Sequence, residues 1–219
     1  MFKLSKKDAI AYDNRSNYIN EAGKYICTIE SAVFHIGNNK NGKSENLRLS
    51  VKDGQNRKAT FFINTSYANG TINEGGLKTI SAILACLREH DTGEAVSASV
   101  KEYNSETKQD EVVIRDCFTK LHGRALGIVV QMIHEDDRDN PTASLYSVFE
   151  ATTELSAGEI MRGETQPAQL GKIMAYIANK PLVDKRKNSP VPPQPTRQPA
   201  QYQTAQTAPV EDIDDDIPF

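Results

Sequence analysis

The amino-acid sequence predicts a mainly β domain, a small barrel with an extra hairpin, followed by a tail that cannot fold alone. Three observations support this prediction: short segments of alternating apolar and polar residues, one strong helical stripe among them, and an end rich in proline and glutamine. A chain of 219 residues suits one ordinary domain plus a tail. The expected parts are an N-terminal extension (1–22), the domain (23–180), a disordered linker (181–210) and an acidic tip (211–219).

The first three strands follow from alternation and from turn residues. Residues 23–36 are rich in β-branched and aromatic side chains and predict a long, bent strand with a bulge near Ser31. Residues 46–52 alternate between apolar and polar or basic side chains, so one face of the second strand belongs to the core. The third strand, residues 57–64, directs Phe62 to the outer face among polar neighbours.

The next elements are one helix and four candidate strands. Apolar residues at helical spacing predict a helix over 77–89, entered after two glycines. Residues 95–102 and 110–116 form a polar hairpin, whereas 124–134 and 143–150 are far more apolar. Because a nearly continuous apolar run needs cover on both sides, the apolar pair is expected to close the barrel. The inserted hairpin, about 95–116, then projects and presents Tyr103, Lys101 and two serines on one face.

Two helical signals follow the barrel. Ser156 and Glu159 have the spacing of a capping box, and a last helix is expected over about 167–179. Three strands, a helix and two strands is the order of the OB-fold, a five-stranded Greek-key barrel that commonly binds oligonucleotides across its second and third strands. The fold class expected here is therefore an OB-fold with an extra hairpin, one or two helices and a disordered tail.

Aromatic and basic residues share the expected outer face of the second and third strands. A nucleobase can stack on an exposed ring while cations contact phosphates, so this pattern favours single-stranded nucleic acid. A solvated hairpin is the alternative for this segment alone, and Tyr12, Tyr18 and Tyr146 suit either stacking or the core. The expected stacking residues are Phe62, Tyr67 and Tyr103, and the expected phosphate contacts are Lys40, Lys43, Arg48, Lys52, Arg57, Lys58 and Lys101.

The net charge of −3 does not argue against nucleic-acid binding. The tip holds five of the 29 acidic residues and no base, which leaves 26 bases against 24 acids in residues 1–210. The acidic residues of the tip can thus move aside from the domain, or they can compete with nucleic acid for a basic groove on it.

No catalytic residue, metal site or cofactor is expected. Cys27, Cys86 and Cys117 are too few and too widely spaced for a disulfide framework, and suit burial in a reducing compartment. The four histidines have no ligand spacing. An acidic run over 135–139 leaves a metal-dependent nuclease as a remote alternative. The sequence has neither a leader pattern nor an apolar run of membrane-spanning length, so a cytoplasmic protein is expected.

The last six residues, Asp-Asp-Asp-Ile-Pro-Phe, resemble the acidic tip of bacterial single-stranded DNA-binding proteins. A short anionic peptide with two apolar anchors can dock in a hydrophobic pocket rimmed by basic residues. The resemblance implies capture of replication or repair enzymes. The residues expected to do so are Asp212, Asp214, Asp215, Asp216, Ile217, Pro218 and Phe219.

The body resembles a different family. The segments 8–13, 23–25, 46–49 and 121–124 look like a phage-encoded family of OB-fold single-stranded DNA-binding proteins. This resemblance implies a non-enzymatic protein in the bacterial host that covers and protects single-stranded DNA during phage replication, recombination and repair. A translational regulator that binds RNA through the same surface remains an alternative, and the oligomeric state stays open.

Overall fold

The computed structural model describes residues 17–39, 42–104, 106–107 and 109–187. The linker from residue 188 and the acidic tip therefore lie outside the described residues. The described chain is mainly β. Its elements are β1 (Gly23–Asn39), β2 (Gly42–Asp53), β3 (Lys58–Ser66), α1 (Glu74–Leu87), β4 (Val96–Asn104), β5 (Gln109–Cys117), a 3-10 turn (Thr119–Leu121), β6 (Ala125–His134), β7 (Thr142–Phe149), α2 (Ala157–Met161), α3 (Gln169–Asn179) and β8 (Leu182–Asp184).

The long strand β1 organises the sheet because it pairs with three other strands. Along 27–39 it pairs with β2, along 23–28 with β6, and Val33 bridges Cys117 of β5. Strand β3 continues from β2, and β7 and β8 flank β6. All these pairs are antiparallel except the parallel pair β6–β8. Within the described residues no strand ladder joins β3 to β7, so the sheet stays open along that side.

The bend of β1 contains the expected bulge. The β1–β2 register shifts between Ile29 and Ser31, and the Ala32 N–H donates to Nε2 of His122 at 3.1 Å instead of to a strand. The Ala32 carbonyl accepts from the Phe118 N–H at 2.8 Å. Both polar groups beside the bulge are therefore satisfied by the segment that precedes β6.

The main core lies between the inner faces of β1, β2, β3 and β6 and the apolar side of α1. Cys27 and Cys86 belong to it, and Cys117 lies in a smaller cluster. All three cysteines are free and buried, as predicted. Burial raises the pKa of Cys27 and of Cys86 to about 12, so both remain neutral thiols.

Helix α1 begins three residues before the predicted start, and its first glycines lie inside it. Asn73 caps the helix, since its side-chain oxygen accepts from the N–H groups of Gly75 and Gly76. A Cβ at Gly76 would lie 1.7 Å from the carbonyl oxygen of Asn64. Gly76 is therefore needed for close packing on β3, and the two glycines do not mark the end of a loop.

The polar sequence of the β4–β5 hairpin predicts that it projects from the domain. In the structure the hairpin instead packs against the sheet. Val100 and Cys117 pack with Val33 of β1 in a small buried cluster. Glu102 receives hydrogen bonds from Arg48 of β2 and from Arg115 of β5. The hairpin is thereby held against the side of the sheet that faces away from the main core.

Both predicted boundaries of the domain shift outward. Ile19 is buried in the core and its N–H donates to the carbonyl of Lys58, so the domain begins before residue 23. At the other end, Leu182–Asp184 form β8 along β6, where the expected linker starts at 181. The predicted capping box is present, with Ser156 and Glu159 in reciprocal hydrogen bonds. Among the described helices, none is long and apolar enough to cross a membrane.

Candidate nucleic-acid interface

The outer face of β1–β3 is the side of these strands that points away from the main core. Strand register places residues from all three strands side by side on it. Its three cross-strand rows are Thr28–Lys52–Lys58, Ser31–Ser50–Thr60 and Val33–Arg48–Phe62. The hydroxyls of Ser50 and Thr60 lie 3.2 Å apart. The face thus combines a row with two lysines, a row of hydroxyls and an aromatic ring, as the alternation of β2 and β3 predicts.

Phe62 is the exposed aromatic residue of this face. Its surface is 61% exposed, which confirms the predicted outward direction. The ring makes an edge-to-face contact with His35, with ring centres 5.7 Å apart and planes at 68°. Such a contact holds the ring in place while one of its faces remains available for stacking.

Each lysine on the outer face has a carboxylate partner. Lys52 Nζ lies 3.3 Å from Glu30, and Lys58 Nζ lies 3.6 Å from Asp110 at the far end of the hairpin. All four side chains are at least one-third exposed, so these ion pairs are weak and exchange readily with other anions.

Arg48 is held more firmly. Its side chain is 14% exposed and pairs with Glu102, which Arg115 also contacts. Burial alone would raise the pKa of Glu102, but hydrogen bonds from both guanidinium groups lower it overall. Within the described residues the buried Nε of Arg48 has no hydrogen-bond partner. Arg48 therefore anchors the hairpin to β2, and a phosphate could reach it only if that contact opened.

A groove of about 670 Å³, here called the hairpin groove, runs between the outer face and the hairpin. Its sheet side includes Lys58 and both hydroxyls described above. Its hairpin side includes Ser99, Lys101, Tyr103 and Asp110. Tyr103 is 58% exposed, and among the described residues Lys101 makes no ion pair. The structure thus brings predicted residues of the hairpin and of the sheet to one groove.

A second groove of about 710 Å³, here called the seam groove, follows the open side between β3 and β7. Tyr18, Lys58 and Thr60 line both grooves, so the two grooves adjoin at these residues. Phe62 and Arg138 also line the seam groove. Arg138 is an exposed cation that the sequence prediction missed, because it lies in an acidic loop whose position depends on the β6–β7 turn.

Several predicted residues lie away from these grooves. Lys43 alternates to the side of β2 opposite Arg48, and Tyr67 lies half exposed in the turn after β3. Arg57 binds Asp53 at 2.7 Å and lies 5.1 Å over the ring of Tyr25. Burial would raise the pKa of the Asp53 carboxyl, but hydrogen bonds from Arg57 and from the Gln55 backbone lower it overall. Arg57 therefore stabilises the β2–β3 turn.

The other predicted residues are a tyrosine on β7 and a group that lies outside the described residues. Tyr146, on β7, stacks on Tyr176 of α3, with ring centres 5.5 Å apart, and lines neither groove. Lys40, Tyr12 and the tip residues lie outside the described residues. Their expected roles stay predictions.

The acidic loop over 135–139 is partly neutralised by the residues after β8. Lys185 Nζ lies 3.8 Å from Glu135, and the Lys187 N–H donates to Asp136 at 2.9 Å. In the described part of the chain, no group of three or more His, Cys, Asp or Glu residues is placed to hold a metal ion. The segment after β8 is thus the structural partner of this acidic loop.

Comparison with known proteins gives no match from which the role of this site could be inferred. No family model matches the chain, and no curated protein matches it. The interpretation of the two grooves depends on their own residues.

Proposed function

We propose that this protein binds single-stranded DNA on the outer face of β1–β3 and is not an enzyme. The observation that carries the proposal is an exposed ring, Phe62, on the same face as two lysines and a row of hydroxyls, beside two adjoining grooves. Bases stack on such a ring whatever their sequence, while lysines contact phosphates. The protein would cover and protect strands exposed during phage DNA replication, recombination and repair in the cytoplasm of the host.

We further infer that β1, β2, β3, β6 and β7 are the five strands of an OB-fold. The pairing of β1 with both β2 and β6, and the position of α1 between β3 and β6, support this inference. The resemblance of the body to phage-encoded OB-fold proteins agrees with it. Here the side between β3 and β7 stays open, and that opening forms the seam groove.

A matched pair of substitutions tests the stacking role. Phe62→Ala removes the ring from the outer face, whereas Ile72→Ala removes a side chain of equal exposure, 61%, outside both grooves. We expect Phe62→Ala to raise the dissociation constant for oligo-dT by about 5- to 150-fold, since a base–aromatic stack contributes about 1–3 kcal/mol. Ile72→Ala should leave it unchanged. Equal affinities for the two variants would argue against stacking on Phe62.

A second pair tests the phosphate contact. Lys58→Gln should weaken binding and reduce the salt dependence by roughly one phosphate contact. Lys78→Gln, in an exposed ion pair with Glu74 on α1, is the control and should change neither quantity. If both variants keep the full salt dependence, Lys58 does not contact phosphate.

The same titrations separate DNA from RNA. Competition between oligo-dT and oligo-rU should favour the deoxy strand. A preference for the ribose strand would favour the translational regulator, because only RNA offers a 2′-hydroxyl.

We propose that the acidic tip captures replication or repair enzymes. Its five carboxylates, two apolar anchors and terminal Phe219 suit a hydrophobic pocket with a basic rim. A chain that ends at Val210 should lose partner capture and should bind DNA equally well or more tightly, because five competing charges are removed. Much weaker DNA binding by the shortened chain would mean that the tail is part of the DNA site.

A further inference from the structure

We propose that the bound strand passes between the β4–β5 hairpin and β2–β3, and that the hairpin closes over it as a clamp. This inference rests on the proposed single-stranded DNA binding and adds a route for the strand. It also predicts a selectivity: a strand with a free end can thread into the closed clamp, whereas a circle requires the hairpin to lift.

The attachment of the hairpin suggests a clamp. At its base it is fixed by the bridge between Val33 and Cys117 and by their packing with Val100. At its far end it meets β3 through the ion pair of Lys58 with Asp110. The hairpin thus extends from β1 to β3 across the outer face, with contacts at both ends.

The two attachments differ in strength. The base is a buried apolar cluster, whereas Lys58 and Asp110 have side chains 42% and 51% exposed. An exposed ion pair contributes only about 0–1 kcal/mol. The contact between Lys58 and Asp110 can therefore open while the apolar cluster and the partly buried pair of Arg48 with Glu102 stay in place.

The closing ion pair involves a lysine that we assign to DNA. A phosphate that enters the hairpin groove offers Lys58 an anion in place of Asp110. Opening of the clamp and binding of the strand would then exchange one partner of Lys58 for another. When no strand is bound, Asp110 in the closed clamp also neutralises the charge of Lys58.

Groups suited to a strand line both sides of the enclosed space. The sheet contributes the hydroxyls of Ser50 and Thr60, and the hairpin contributes Lys101 and Tyr103. A strand that uses both sets and also reaches Phe62 has to pass beneath the hairpin, between its contacts with Arg48 and with Lys58.

A covalent closure of the clamp tests the route. In the double variant Lys58→Cys and Asp110→Cys, a short bis-maleimide joins the two new thiols across the observed contact. The native cysteines are 0–3% exposed and should not react. The same double variant capped at both thiols with N-ethylmaleimide is the control, because it also lacks Lys58 and Asp110 but is not closed.

The protein is first loaded on circular single-stranded DNA, then cross-linked and washed with concentrated salt. We expect retention on the order of tenfold higher than for the capped control, because salt weakens phosphate contacts but cannot open a closed ring. On a linear strand of equal length both forms should dissociate. Equal release of the cross-linked form from circle and line would overturn the proposed route. Failure of the unmodified protein to bind either DNA would instead refute the proposed function.

Discussion

Replacement of Glu159 by glutamine is expected to destabilise the fold, and to do so mainly above pH 4.5. The Glu159 side chain is 1% exposed and has no cationic partner among the described residues. It accepts hydrogen bonds from the backbone and hydroxyl of Ser156 and from the N–H groups of Ala168 and Gln169. One carboxylate therefore caps α2 and also holds the start of α3.

The structure gives both the sign and the size of this effect. Hydrogen bonds from the Ser156 backbone outweigh burial and lower the pKa of Glu159 from 4.5 to about 2. A group with a lowered pKa stabilises the fold fully above its unfolded pKa, and this stability is lost as the pH falls toward the folded pKa. At about 1.4 kcal/mol per pH unit the shift corresponds to about 3 kcal/mol. Because residues 161–169 around it are largely exposed and water screens the charge, we expect about 2 kcal/mol.

Glutamine retains one acceptor oxygen and places an NH₂ group against two donors, so about two of the four hydrogen bonds should be lost. Urea unfolding followed by far-ultraviolet circular dichroism measures the free-energy difference from wild type. This difference should be about 2 kcal/mol near pH 7 and less than half of that near pH 3. Glu94→Gln, an exposed carboxylate without an ion pair in the described structure, is the control. An equal loss at both pH values would refute the assigned role of the charge.

Two further predictions concern packing and pH. A Cβ at Gly127 would lie 2.2 Å from the ring of Phe149, so Gly127→Ala should lower the unfolding free energy by about 1–3 kcal/mol. A Cβ at Gly171 on α3 would meet no atom within 4 Å, so Gly171→Ala should raise the unfolding free energy by up to about 1 kcal/mol. Urea unfolding of both variants checks this prediction, since their unfolding free energies should change in opposite directions. Burial lowers the pKa of His122, and its Nε2 can accept from Ala32 only while the ring is neutral. Stability should therefore fall as the pH drops below 6.5, the ordinary pKa of histidine, and His122→Gln should abolish that part of the dependence.

The strands of the sheet could be predicted because their signals are local. The alternation around Leu47 and Leu49 fixes which side of β2 is core, and the same rule gave the outward direction of Phe62. The bulge was also predictable, since the alternation of β1 shifts at Ser31. The start of α1 was misjudged because two glycines usually indicate a loop, whereas Asn73 caps the helix through them.

The docking of the hairpin could not be predicted from local patterns. It depends on Val33 meeting Cys117 and on Arg48 meeting Glu102, contacts between residues far apart in the chain. The candidate site changes for the same reason. Lys101 and Tyr103 come to the groove only because the hairpin folds over the sheet. The contribution of Tyr18 depends on a bridge to Lys58, for which the sequence has no signal.

Binding of oligo-dT by the full chain is the measurement that tests the central claim most directly. The chain has eight tyrosines and no tryptophan, so its intrinsic fluorescence comes from tyrosine, and Tyr103 and Tyr18 beside the groove contribute to it. The account predicts saturable quenching at low salt, and a logarithm of the affinity that falls linearly with the logarithm of salt concentration as counterions are released. Unchanged fluorescence at saturating oligo-dT, with no complex formed at low salt, would contradict it.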